Sequence, residues 1–135
     1  MVCRHPLLRP RGFTLIELLV VLALVALLSS LAAPRYVRSL DLARERALAV
    51  SLVTMREAID RFAADKGRWP ASVAELAEQR YLRAVPPEPI SGKADGWVEL
   101  EAALPPAGST QAGGIDDVRS GAGGRGSDGR LYADW

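Results

Sequence analysis

A single carboxylate, Glu17, lies within the otherwise uncharged run from Phe13 to Ala33. Placing an ionised carboxylate in hydrocarbon costs on the order of 2.5 to 3.5 kcal/mol on insertion scales, so such a group demands a partner. No Lys, Arg or His stands between Phe13 and Ala33, so the partner comes from elsewhere in the chain or from another molecule. A second set of carboxylates, Asp116, Asp117, Asp128 and Asp134, surrounds a segment in which five of the nine residues from Gly121 to Gly129 are glycine. Carboxylates mixed with backbone carbonyls that glycine lets turn inward are what a hard cation such as Ca²⁺ takes as its roughly six to eight oxygen ligands. The spacing is not that of an EF-hand, and an exposed loop with scattered, solvated aspartates has the same composition. The segment from Gly121 to Gly126 lacks the Lys-Ser/Thr ending of a phosphate-binding loop.

The elements that position these groups follow from pattern. The 21 residues from Phe13 to Ala33 form, as a helix, a rod of roughly 31 Å, just enough to cross a bilayer's hydrocarbon core. Pro34 lacks an N–H and predicts a bend or local melting. Helical periodicity then resumes: Leu48, Leu52, Met55, Ile59 and Phe62 fall four, three, four and three apart, a single apolar stripe. Val37 and Leu40 lie on earlier turns, and Arg44, Arg46, Arg56, Glu57, Asp60 and Arg61 supply most of the polar surface. One long helix is expected from about Phe13 to about Ala64, ended by Gly67. Trp69-Pro70 makes a corner at which Trp69 caps the core. Ser72-Val73-Ala74-Glu75 reads as a capping box opening a short helix to about Gln79, with Val73, Leu76 and Ala77 inward. Pro86, Pro87 and Pro89 predict an extended connector with few hydrogen bonds. Trp97–Glu101 alternates as a strand with one buried face, Ile115–Arg119 is a weaker strand, and residues 102 to 114 form a loop. Tyr132 and Trp135 are natural plugs for the open edge of such a small domain.

Gly12-Phe13-Thr14-Leu15-Ile16-Glu17, after a basic stretch with Arg4, Arg9 and Arg11, resembles the processing site of type IV prepilins and of the pseudopilins of type II secretion. The resemblance implies that a membrane peptidase cuts between Gly12 and Phe13 and that the new Phe13 amine is N-methylated. It also implies that Glu17 pairs with the amine of a neighbouring subunit during assembly. Pro34 fits, as does the order Gly67-Arg68-Trp69-Pro70, Tyr81-Leu82, Pro86-Pro87-Glu88-Pro89, which is similar to the major pseudopilin family. That family usually carries aspartate where this chain has Glu88. It also binds calcium in its terminal loop, which here implicates Asp117, Asp128 and Asp134, with Asp116 as a fourth ligand.

The expected organisation is a leader over residues 1–12, a transmembrane half-helix over 13–33, a periplasmic half-helix over 34–66 and a small domain over 67–135. The fold class is α+β and pilin-like: a long N-terminal helix packed on a small domain with a short helix and a small antiparallel sheet. Net charge is +1, and removing the leader with its three arginines leaves −2, so the balance gives no sign of nucleic-acid binding. Cys3 and His5 are the sole cysteine and histidine. Both fall in the leader, so the processed chain has no thiol or imidazole for nucleophilic catalysis or zinc binding, and no enzyme is expected. Three arginines precede the apolar run and Arg35, Arg38, Arg44 and Arg46 follow it, so charge does not set orientation. The resemblance does: a single pass of the bacterial inner membrane with the C-terminal domain in the periplasm. The implied partners are further copies, other pseudopilins, the prepilin peptidase/N-methyltransferase and an inner-membrane assembly platform. A type IV pilus subunit and a membrane-anchored periplasmic binding module are the alternatives. A secretory signal cut near Ser30-Leu31-Ala32 competes with the leader reading.

Overall fold

The computed structural model describes residues 12–135. The leader expected over residues 1–12 therefore lies outside the described residues, except for Gly12. Four main elements follow in order: helix α1 (Leu15–Lys66), helix α2 (Val73–Glu78), strand β1 (Trp97–Glu101) and strand β2 (Ile115–Ser120), with a 3₁₀ turn at Tyr132–Asp134. This is the pilin-like α+β arrangement. The chain divides into two units, Met1–Ser39 and Leu40–Trp135.

In the first unit, helix begins where Thr14 can cap it. The Glu17 amide donates to Thr14 Oγ1 at 3.3 Å, and the Leu18 amide donates to the Thr14 carbonyl at 3.2 Å. This satisfies donors that the first turn of any helix leaves orphaned. The α-helix continues through Pro34 without the expected local melting. Proline removes one ladder bond, but the flanking leucines and alanines are strong helix formers and retain the conformation around it. Every residue from Gly12 to Ser39 is exposed, leaving apolar side chains that only lipid or protein can cover.

The second unit has one core. Leu48, Leu52, Met55, Ile59 and Phe62 are all buried, as their spacing predicts, and Ala58 joins them. Against them pack Val73 and Leu76 of α2, Leu82, Ile115 and Val118 of β2, Ala122 and Tyr132. Gly67 ends α1 at φ +68°, with its amide on the Ala63 carbonyl at 2.9 Å, the left-handed turn that glycine adopts at least cost. The Trp69 indole donates to the Leu104 carbonyl at 2.8 Å, and its ring lies against the core. Ser72 caps α2 by accepting the Glu75 amide at 3.3 Å. The reciprocal half of the box differs: Glu75 reaches past Ser72 to the Ala71 amide at 2.6 Å and pairs with Arg68. The open Val73 amide is taken instead by Glu99 of β1 at 2.8 Å.

The strands pair antiparallel, from Trp97 opposite Ser120 to Leu100 opposite Asp117, and then Glu101 opposite Ile115. Asp116 is thus an extra residue, a bulge. The bulge turns Ile115 to the core face beside Val118, although three positions separate them. The buried face consequently belongs to β2, whose Ile115, Val118 and Ser120 are buried. On β1, Val98 stays exposed and Leu100 is half-buried. The alternation that predicted a buried face for β1 was real, but a two-stranded sheet has too little cover to bury it. Gly114, before β2, has φ +96°, and a Cβ there would lie 2.7 Å from the Pro70 carbonyl. Only glycine lets β2 approach the Trp69-Pro70 corner so closely.

The proline connector is not poorly hydrogen-bonded. Glu88 folds it into a turn: its amide donates to the Lys93 carbonyl and its carbonyl accepts the Gly92 amide, both at 2.8 Å. Its carboxylate is fully buried and accepts the Ile90 amide at 3.2 Å, the Ser91 amide at 2.5 Å and the Ser120 hydroxyl at 2.9 Å. One carboxylate with three donors thereby ties the connector to β2.

Candidate functional site

Two places hold the groups singled out by sequence. The first is the start of α1. Gly12 and Phe13 are exposed and precede the helix, as a cleavable bond requires, and Glu17 stands in its first turn. Thr14 and Glu17 fall at the cap and third helical positions, the Thr-x-x-Glu pattern of a capping box, so the amide bond to Thr14 also fixes the residue that bears the carboxylate. Sequence reasoning missed this cap; a Ser/Thr-x-x-Glu signal before an apolar run would have found it. No described residue donates to the Glu17 side chain. Position in the first turn places that negative charge at the positive end of the helix dipole.

The second place is the terminal loop, where the structure does not bring the four aspartates together as a ligand set. Among the described residues no three Asp, Glu, His or Cys side chains are grouped to hold a metal ion. Asp117 Oδ1 accepts Arg56 Nε at 2.7 Å, while Asp128 is paired with Arg130 at 2.7 Å. Asp116 and Asp134 are exposed. The one buried side-chain polar atom without a partner, among the described residues, is the Trp135 indole N–H, a donor and no cation ligand. The carboxylate side chains in this arrangement do not by themselves make a ligand set for a calcium ion.

Other residues hold the loop. Glu45 lies on α1 three positions before Leu48, which extends the apolar stripe by one step, and it is buried. Its carboxylate accepts the Ser127 amide at 2.8 Å, the Ser127 hydroxyl at 2.5 Å and the Tyr132 hydroxyl at 3.2 Å. Arg56, assigned by pattern to the polar surface, is half-buried and reaches across to β2 and the terminal residues. Besides Asp117 it donates to the Val118 carbonyl at 3.1 Å and to the main-chain oxygen of Trp135 at 2.8 Å. Tyr132 and Trp135 close this edge with ring centroids 5.8 Å apart. Extrapolating the stripe backwards from Leu48 would have found Glu45.

These carboxylates make the domain acid-sensitive. The Ser127 hydroxyl holds Glu45 below the ordinary glutamate range, outweighing burial. Burial pushes Glu88 up, but the bonds from Ser91, Ile90 and Ser120 outweigh it and the net shift is down. Arg68 lowers Glu75. A carboxylate whose folded pKa is depressed stabilises the fold fully above its unfolded value, and that contribution is lost as pH falls through the folded value. We expect a flat thermal midpoint from about pH 6 to 8 and a steep fall beginning only below about pH 4.5. Circular dichroism melts of the full chain in detergent across this range check it.

Comparison with known proteins agrees with the geometry. Residues 8–33 match the family model described as the prokaryotic N-terminal methylation motif. The chain is 31% identical over 90 residues to type II secretion system core protein G of Pectobacterium carotovorum, covering 67% of this chain and 58% of the relative. It is 31% identical over 88 residues to the protein of that name from Klebsiella michiganensis, covering 65% and 62%. The Dickeya chrysanthemi protein of that name is 29% identical over 90 residues, covering 67% and 59%. The chain thus spans about three fifths of the length of these curated relatives. No solved structure matches it. With the methylation motif matched over residues 8–33 and, among the described residues, one helix long and apolar enough to cross a membrane, the chain carries the N-terminal methylation motif of type IV pilin-like proteins and is homologous to proteins named type II secretion system core protein G.

Proposed function

We propose that this chain is a pseudopilin, a building block of a short periplasmic filament that helps a type II secretion system export proteins. The observation that carries the reading is Glu17: one carboxylate in an exposed apolar helix, without a donor among the described residues, four positions after a glycine-phenylalanine bond. In lipid such a group seeks a cation. Cutting at Gly12 creates one, the Phe13 amine of the next copy. In this reading the peptidase cuts and methylates at Phe13, and the apolar part of α1 anchors the chain in the inner membrane with Leu40–Trp135 in the periplasm. Copies and other pseudopilins then join through an assembly platform. Growth of the filament moves cargo mechanically, and the chain itself catalyses nothing.

Intact-mass analysis of the protein from its native host tests the processing step. The expected mass is that of a chain beginning at methylated Phe13. A chain beginning at Ala33 or Pro34 would instead mean that the apolar run is a secretory signal.

A further inference from the structure

Two of the four aspartates expected to bind calcium are engaged by arginines, and other residues tie the terminal loop to α1. We infer that this chain fixes its terminal loop with two residues of α1, Glu45 and Arg56, and that the fixed state needs no divalent cation. The two lie eleven residues apart, close to three full turns, so they project from one face of the helix about 16 Å from each other. Glu45 supplies an anion where a loop stiffened by calcium needs a cation. It gathers three donors, the amide and hydroxyl of Ser127 and the hydroxyl of Tyr132. Arg56 supplies the complementary cation, gathering three acceptors, Asp117 Oδ1, the Val118 carbonyl and the Trp135 main-chain oxygen.

Between them they do part of what a bound ion would do: Arg56 neutralises Asp117, and both residues cross-link distant parts of the terminal region. Asp117, which the calcium reading takes as a ligand, already has a full positive charge 2.7 Å away. An incoming Ca²⁺ would meet that positive charge beside the carboxylate and would compete with it for Oδ1. Asp128 is likewise occupied, receiving both the amide and the guanidinium of Arg130. The glycine-rich segment, costly to order at roughly 1 to 2 kcal/mol per residue, receives in return charge-assisted bonds, which are stronger than neutral ones. The inference stands whether or not the chain polymerises.

Amide hydrogen exchange of the full chain in detergent micelles, read by mass spectrometry over residues 121–135, tests it. Exchange of the wild type is expected to be the same with millimolar Ca²⁺, with Mg²⁺ and with chelator. Glu45→Ala is expected to exchange about tenfold faster over this segment, equally in all three conditions. If Glu45→Ala also loses protection in β1, Ser127→Ala decides, removing one donor and giving an acceleration of about threefold. Faster exchange of the wild type in chelator, reversed by Ca²⁺ and not by Mg²⁺, would overturn the inference. So would Glu45→Ala or Ser127→Ala exchanging as slowly as the wild type.

Discussion

Glu17→Leu is expected to leave the chain in the membrane and to abolish its assembly. Replacing a carboxylate by leucine makes the run from Phe13 to Ala33 wholly apolar, which favours insertion. The neighbour's amine then loses its anion while still held in hydrocarbon. Removing one partner of a buried ion pair costs about 3 to 5 kcal/mol. At about 1.4 kcal/mol per factor of ten, that is more than a hundredfold per subunit contact. Multimers trapped by a crosslinker in membranes should therefore fall to background, while the amount of membrane-bound, processed chain is unchanged. Glu17→Asp, with a shorter reach from the same cap, should assemble weakly. Wild-type multimer yield from Glu17→Leu would remove the pairing role.

Glu88→Ala is expected to destabilise the second unit as strongly as the loss of a large core side chain. The side chain is fully buried and accepts three donors. Truncation leaves the Ile90 and Ser91 amides and the Ser120 hydroxyl without it. An orphaned buried donor costs about 1 to 3 kcal/mol, so the loss should be about 3 kcal/mol or more even after partial relaxation. That is a large part of the roughly 5 to 15 kcal/mol that holds a domain of this size. With a slope of about 1 to 3 kcal/mol per molar urea, the unfolding midpoint should drop by about 1 M or more with the slope unchanged. Glu78→Ala, at an exposed position of α2, should leave the midpoint in place. Glu88→Asp keeps the charge on a shorter stem and should fall between them.

What the sequence made legible was what rests on local pattern. The stripe from Leu48 to Phe62, the stop at Gly67, the cap at Ser72 and the limits of β1 follow from periodicity and single-residue conformational preference, and they stand in the structure. The methylation motif was legible because it lies in one contiguous stretch. What stayed hidden depends on pairs far apart in the chain. Glu45 and Ser127 are 82 residues apart, and Arg56 and Trp135 are 79 apart. A glutamate or arginine on a helix reads as surface until its distant partner is known. The aspartates show the same dependence on distant partners: Arg56 pairs with Asp117 across the fold, while Asp128 takes its neighbour Arg130. The bulge at Asp116 was hidden too, because it arises from pairing register rather than from β2 alone.

The most direct measurement of the pairing between subunits uses a lipophilic, zero-length carboxyl–amine crosslinker on membranes containing mixed light and ¹⁵N-labelled copies of the full chain. Peptides are then read by tandem mass spectrometry. The expected product joins Glu17 of one isotopic copy to the amino end at Phe13 of the other, in the mixed-isotope form that only two different chains can give. Recovering Phe13 methylated but Glu17 and the amine unlinked, in membranes where the chain is visibly polymerised, would contradict the account.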